Sequence, residues 1–221
     1  MRPLNEARLY AILDASYLGG RSVGFYAREM VCGGADIIQL RAKGVPLETV
    51  REWAISVLPI TRDAGVPLIL NDYPALAAET GVDGVHVGQD DVSVRDAKKH
   101  VSCVGLSTHS LEQAKAAWVL PVPPDYIGFG PLFATPTKPD YRPVGTDDVR
   151  AVFEMSPIPV FCIGGIKLEN IAAVIASGAN RAVVVSGIMQ AEFPSDYCQS
   201  LKQILLAGAV NEVSASKKNL R

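Results

Sequence analysis

The feature that most constrains this chain is a rhythm: short apolar runs recur along it, and segments of helical periodicity lie between them. The runs fall at 9–13, 36–41, 67–71, 84–87, 102–106, 126–129, 159–163 and 181–185. The helical segments fall at 23–32, 47–63, 74–80, 92–99, 111–119, 147–155, 169–177 and 194–206. Eight strand-then-helix units whose strands are apolar nearly throughout predict a parallel sheet covered on its outer face, and eight strands close a barrel. The expected fold class is α/β, a single (β/α)8 barrel. A doubly wound open sheet is the competing architecture. Its phosphate loop needs glycines after the first strand, where Asp14-Ala15-Ser16 stands instead.

The 221 residues suit one domain of this kind. Residues 1–210 are expected to form the barrel, and 211–221 a polar, lysine-containing, frayed tail. Pro121-Val122-Pro123-Pro124 reads as a stiff connector into the sixth strand. With 48% hydrophobic residues, one closed core needs no disulfide or metal staple. A net charge of −2 supplies no basic field for nucleic acid or an anionic membrane, so an anionic ligand must be held by local cations and amides. Cys32, Cys103, Cys162 and Cys198 form no CxxC pair and read as buried, reduced thiols. Asn5, Glu6, Arg8 and Asp14 break any signal-peptide pattern, and no run has the length of a membrane span. A cytoplasmic location is expected.

Barrels of this type place chemistry at the C-terminal ends of their strands, which selects the polar residues to weigh. Asp72 and Asp91 come from neighbouring strand ends and could share one hard cation such as Mg²⁺, or each could simply cap the next helix. Asp90 is expected to point outward. Arg41 and Lys43 alternate along one strand end and can face the same side. With Ser107 and with Lys138 in a Thr-x-Thr-Lys loop, they form a donor set suited to pyrophosphate; a lone loop lysine can equally be solvated. Gly164-Gly165 and Ser186-Gly187 end the last two strands, where barrels often bind phosphate, although glycines there can also merely turn the chain. His86 reads as a lumen residue, His100 as lying at the far end, and His109 as a helix-start residue near the mouth. Neither a Ser-His-Asp order nor zinc spacing is present.

In order along the chain stand Gln39-Leu40-Arg41-Ala42-Lys43, Asn71-Asp72, Gly84-Val85-His86-Val87-Gly88-Gln89-Asp90-Asp91 and Gly105-Leu106-Ser107-Thr108-His109. Gly128-Phe129-Gly130-Pro131-Leu132-Phe133-Ala134-Thr135-Pro136-Thr137-Lys138, Gly164-Gly165-Ile166 and Val185-Ser186-Gly187-Ile188 follow. Each alone is weak; together, over residues 9–189, they resemble the thiamine-phosphate synthase family. That resemblance implies a transferase joining a pyrimidine pyrophosphate to a thiazole phosphate with release of pyrophosphate. It implies Mg²⁺ on Asp72 and Asp91, with pyrophosphate oxygens on Arg41, Lys43, Asn71, Ser107 and Lys138. Gln39 would bind the aminopyrimidine, and Thr135 and Thr137 would contact the thiazole phosphate side. Gly165, Val185 and Ser186 would bind the thiazole phosphate. Tyr73, the prolines at 121–124 and Tyr141-Arg142 depart from the family pattern without removing a proposed ligand. Three other readings stay open: a thiazole tautomerase of the same fold, another phosphate-binding barrel, and a non-catalytic thiazole-phosphate binder. The sequence says nothing of oligomeric state.

Overall fold

The computed structural model describes residues 3–135 and 142–218, and its eight strands close into a parallel barrel in sequence order. The strands are β1 (Leu9–Asp14), β2 (Ile37–Arg41), β3 (Leu68–Asn71), β4 (Gly84–Val87), β5 (Cys103–Thr108), β6 (Tyr126–Phe129), β7 (Val160–Cys162) and β8 (Ala182–Val184). Around them run α1 (Val23–Cys32), α2 (Leu47–Asp63), α3 (Pro74–Thr80), α4 (Val94–Ala97), α5 (Leu111–Trp118), α6 (Val149–Met155), α7 (Ile171–Ala176), α8 (Ser186–Met189) and α9 (Pro194–Lys218). No helix among the described residues is long and apolar enough to cross a membrane.

Every expected strand and helix is present; α1, α2, α3, β4 and β6 have the expected ends, and the others are shifted. β5 runs on through Ser107 and Thr108, because Ser107 and Thr108 pair in register with Gly128 and Phe129 of β6. A 3-10 turn at Ala15–Tyr17 and the single turn of α8 were not expected, being too short to carry a periodic signal. Helix α9 departs most: its backbone is helical to Lys218, where a frayed tail was expected. Its first turns dock through Cys198, Leu201 and Leu205, and an already nucleated helix gains one hydrogen bond per added residue. Cys103, Cys162 and Cys198 are buried free thiols as expected, but Cys32 is exposed at the last position of α1.

Two apolar layers result from strand alternation. Leu9, Ala11 and Leu13 of β1 face outward into the layer shared with the helices. Tyr10 and Ile12 face the lumen, joined there by Ile37, Ile69, Tyr126, Phe161 and Val183. Phe161 meets Tyr10 and Tyr126 edge-on, at centroid distances of 5.5 and 5.6 Å, so aromatic rings fill the middle of the barrel.

The N-terminal rim is tied by a repeated device. Asp36, Asp83 and Asp125 each precede an even-numbered strand, and each grips the first part of the strand before it. Their N–H groups donate to the carbonyls of Leu9, Leu68 and Val104 at 2.8, 2.9 and 2.8 Å. Their Oδ2 atoms accept the N–H groups of those same residues at 2.9, 2.8 and 2.6 Å. Asp36 also accepts from Arg8 N and from Lys202 of α9, which fastens the last helix to the first strand pair.

Candidate active site

Strand parity carries the polar residues inward at the C-terminal rim. Gln39 and Arg41 share the parity of lumen-facing Ile37, Asn71 that of Ile69, and Ser107 that of Cys103. All four, with His86, line a well that opens at the mouth.

Arg41 is held from the neighbouring strand. Its Nη1 lies 2.5 Å from Oδ2 of Asp14, which is 1% exposed and whose Oδ1 accepts from the N–H and hydroxyl of Ser16. Asp14 was not among the expected site residues. Its register opposite Arg41 follows once β1 and β2 are known to pair.

Asp72 lies at φ 71°, the one non-glycine residue with positive φ among the described residues. An extended residue after inward-facing Asn71 would point outward, and the left-handed turn redirects it. Its Oδ2 lies 3.2 Å from Lys43 Nζ, and it interacts electrostatically with Asp91. Burial pushes the Asp72 carboxyl above its ordinary range; Lys43 opposes that rise and Asp91 adds to it. Asp91 is exposed and accepts the Gly88 N–H at 2.7 Å, while Asp90 is exposed. The helix-capping alternative fails for both carboxylates. The N-cap of α3 is Tyr73 with no side-chain cap, and that of α4 is Ser93, whose hydroxyl accepts from Asp96 N. Two facing carboxylates beside one lysine fit a hard divalent cation that keeps water and takes phosphate oxygens. Among the described residues no cluster of three or more His, Cys, Asp or Glu would satisfy a metal from protein groups alone.

The opposite wall is glycine-lined. A Cβ on Gly164 would lie 2.3 Å from Pro131 Cβ, and one on Gly165 would lie 2.7 Å from Phe133 Cβ; both residues have positive φ. The segment after β6 therefore packs directly on the end of β7, with Leu132 N and Phe133 N donating to the carbonyls of Ile163 and Gly164. Gly165, Val185, Ser186 and Thr135 line the well. Thr137 and Lys138 lie outside the described residues.

The histidines divide as expected in position. His86 is a lumen residue with both ring nitrogens engaged, Nε2 with Ser107 Oγ at 2.9 Å and Nδ1 with the Tyr126 hydroxyl at 3.2 Å. His100 is exposed, just ahead of β5. His109 immediately precedes the Ser110 N-cap of α5, and its Nδ1 lies 2.5 Å from the Gly130 carbonyl oxygen. Tyr10 and Tyr126, fully buried in the lumen, were missed as site residues. Strands apolar on both faces do not disclose which residues face inward.

Residues 9–188 match the family model described as thiamine monophosphate synthase. The chain is 38% identical over 201 residues to a thiamine-phosphate synthase of Chloroflexus aurantiacus, covering 90% of this chain and 92% of that protein. It is 40% identical over 206 residues to one of Pelotomaculum thermopropionicum, covering 91% and 94%. A solved thiamine phosphate pyrophosphorylase from Pyrococcus furiosus superimposes with a TM-score of 0.83 at 30% identity, covering 93% of this chain and 98% of that one. A 3-hexulose-6-phosphate synthase, at 21% identity and TM-score 0.61, shares the fold alone. A match that runs from the first strand into α8, with relatives covered almost end to end, places this chain in the thiamine monophosphate synthase family.

Proposed function

We propose that the protein acts as a thiamine-phosphate synthase. It would join 4-amino-2-methyl-5-(diphosphooxymethyl)pyrimidine to thiazole phosphate, giving thiamine phosphate and pyrophosphate. The observation that carries this reading is the meeting of Asp72, Asp91, Lys43 and Arg41 on one rim, with neither carboxylate spent on a helix cap.

Gln39, deep in the well, suits the aminopyrimidine, and Arg41, Lys43, Asn71 and Ser107 suit the pyrophosphate. Gly165 with the backbone at Val185 and Ser186 suits the thiazole phosphate across the mouth, beside Thr135. Mg²⁺ held by Asp72 and Asp91 would neutralise charge on the pyrophosphate oxygens. The amino group of the pyrimidine donates electron density to the ring, so the methylene carbon can release its C–O bond, with both electrons leaving on pyrophosphate. The thiazole nitrogen then forms the C–N bond with its own lone pair. No proton has to move, which suits a site whose work is fixed electrostatics rather than general base catalysis. Arg41, aligned by Asp14, and the Ser107 hydroxyl face the growing negative charge as donors set in place beforehand.

Purified protein mixed with both substrates and Mg²⁺ should form thiamine phosphate and pyrophosphate in equal amounts. EDTA should abolish the reaction and added Mg²⁺ restore it. Folded protein that forms neither product defeats the synthase reading. Conversion of the thiazole phosphate alone would instead assign a tautomerase.

A further inference from the structure

Five side chains form one unbroken hydrogen-bonded chain through the barrel lumen. Gln39 Nε2 donates to the Tyr10 hydroxyl at 2.7 Å. Tyr10 and Tyr126 share a hydrogen bond of 2.9 Å between hydroxyls. The Tyr126 hydroxyl reaches His86 Nδ1 at 3.2 Å, and His86 Nε2 reaches Ser107 Oγ at 2.9 Å. Room for the middle of this chain is made by Gly105, where a Cβ would lie 2.1 Å from Tyr126 Cζ and 2.5 Å from His86 Nδ1.

The direction of the chain follows from counting hydrogens. Tyr10 accepts from Gln39, and its own buried hydroxyl hydrogen is bonded only if it goes to Tyr126. Tyr126, now an acceptor, gives its own hydrogen to His86 Nδ1. A neutral imidazole that accepts at Nδ1 carries its hydrogen on Nε2, which donates to Ser107 Oγ. The Ser107 hydrogen is then left to point outward into the well. Both tyrosines stay neutral, because burial pushes their hydroxyl pKa values upward.

We propose that Tyr10, Tyr126 and His86 are positioning residues that fix His86 as the Nε2–H tautomer and thereby turn the Ser107 hydroxyl into a dedicated donor to the departing pyrophosphate. The proposal rests on the synthase reading for the identity of that anion. It also couples the two ends of the reaction. With its Nε2 committed to Tyr10, Gln39 keeps its carbonyl oxygen as the acceptor for the pyrimidine amine. As that amine pushes electrons into the ring its N–H becomes a stronger donor, while at the far end the anion draws harder on Ser107. Both changes polarise the chain in the same sense, so each bond strengthens the next. No hydrogen changes atoms at any point.

The first test needs no substrate. The protein has three histidines, so two-bond ¹H–¹⁵N spectra of histidine-labelled protein at mildly alkaline pH are assignable with a His86→Phe control. Expected is a bare Nδ1 and a protonated Nε2 on His86, relaxing to a tautomer mixture in Tyr126→Phe. An Nδ1–H tautomer in the unmutated protein overturns the proposal. The second test is kinetic. Tyr126→Phe should lower kcat roughly tenfold, the worth of one well-placed hydrogen bond, and change KM far less. In a Ser107→Ala background the same change should cost almost nothing more. Equal losses in both backgrounds would show that Tyr126 acts independently of Ser107 and also overturn it. Thermal melts check folding, and Tyr10→Phe, one link further off, replaces Tyr126→Phe if that variant is unstable. Unmutated protein that releases no pyrophosphate sinks the synthase reading alone, and the tautomer still decides the chain's polarity.

Discussion

Asp72 shows how much one residue can be asked to do. Its left-handed backbone, at φ 71°, costs on the order of 1–2 kcal/mol for most side chains, and Asp and Asn tolerate it best. Burial, with Asp91 adding and Lys43 opposing, raises its carboxyl above the unfolded value. For a raised carboxyl the charged form is the one the fold disfavours. Its relative stabilising effect is therefore complete below the unfolded pKa and is lost as pH rises through the folded one. Asp72→Asn keeps the backbone preference and removes the charge. In melts without ligand it should exceed the unmutated protein in Tm near neutral and alkaline pH, with the advantage shrinking as the solution is acidified through the carboxylate range. The same variant should lose activity by at least about a hundredfold, because a neutral amide is a poor ligand for a hard cation. Near-normal turnover would remove Asp72 from the proposed metal site. The sequence announced the residue, since Asn71-Asp72 closes an apolar run. It did not announce the turn, because an aspartate after a strand is equally at home extended.

At the scale of elements, the strand entries bear the most testable weight. Asp36 is buried, satisfies the N–H groups of both Arg8 and Leu9, and pairs with Lys202. Asp83 accepts the Leu68 N–H, the neighbouring Pro67 having none to offer, and is half-buried. Asp36→Ala should therefore destabilise by about 3 kcal/mol, since it strands two amides and an ammonium group. Asp83→Ala should cost only about 1 kcal/mol. Paired chemical denaturation curves would measure the difference, and equal losses would mean that the contacts of α9 through Lys202 contribute little. The positions of all eight strands were legible because a parallel, doubly covered strand is apolar nearly throughout, and β6 was placed end for end at Tyr126–Phe129. The repeated aspartate stands in the sequence as Ala35-Asp36, Val82-Asp83 and Pro124-Asp125 ahead of β2, β4 and β6, but it went unread, because its meaning required the pairing. Helix α8, one turn long, offered no period to read.

For the molecule as a whole, closure of the barrel was legible from the number of strand–helix units, and the site's rim from the polar strand ends. The contents of the lumen were not, because a strand apolar on both faces hides which of its residues look inward. That hidden face has a kinetic consequence. Tyr10, Tyr126 and Phe161 seal the barrel under the well, so ligands enter and leave from one side. Gln39 lies against that aromatic floor through Tyr10, whereas Gly165 and Ser186 belong to the mouth. A vessel with one opening fills from the bottom. Under the proposed assignment the pyrimidine substrate must be in place before thiazole phosphate takes the mouth. A dead-end analogue of thiazole phosphate should then inhibit uncompetitively against the pyrimidine substrate, and a mixed pattern in steady-state plots would argue for random entry. The aromatic floor thus sets a queue at the entrance, the pyrimidine substrate ahead of thiazole phosphate, on a reaction whose chemistry asks for no order of arrival.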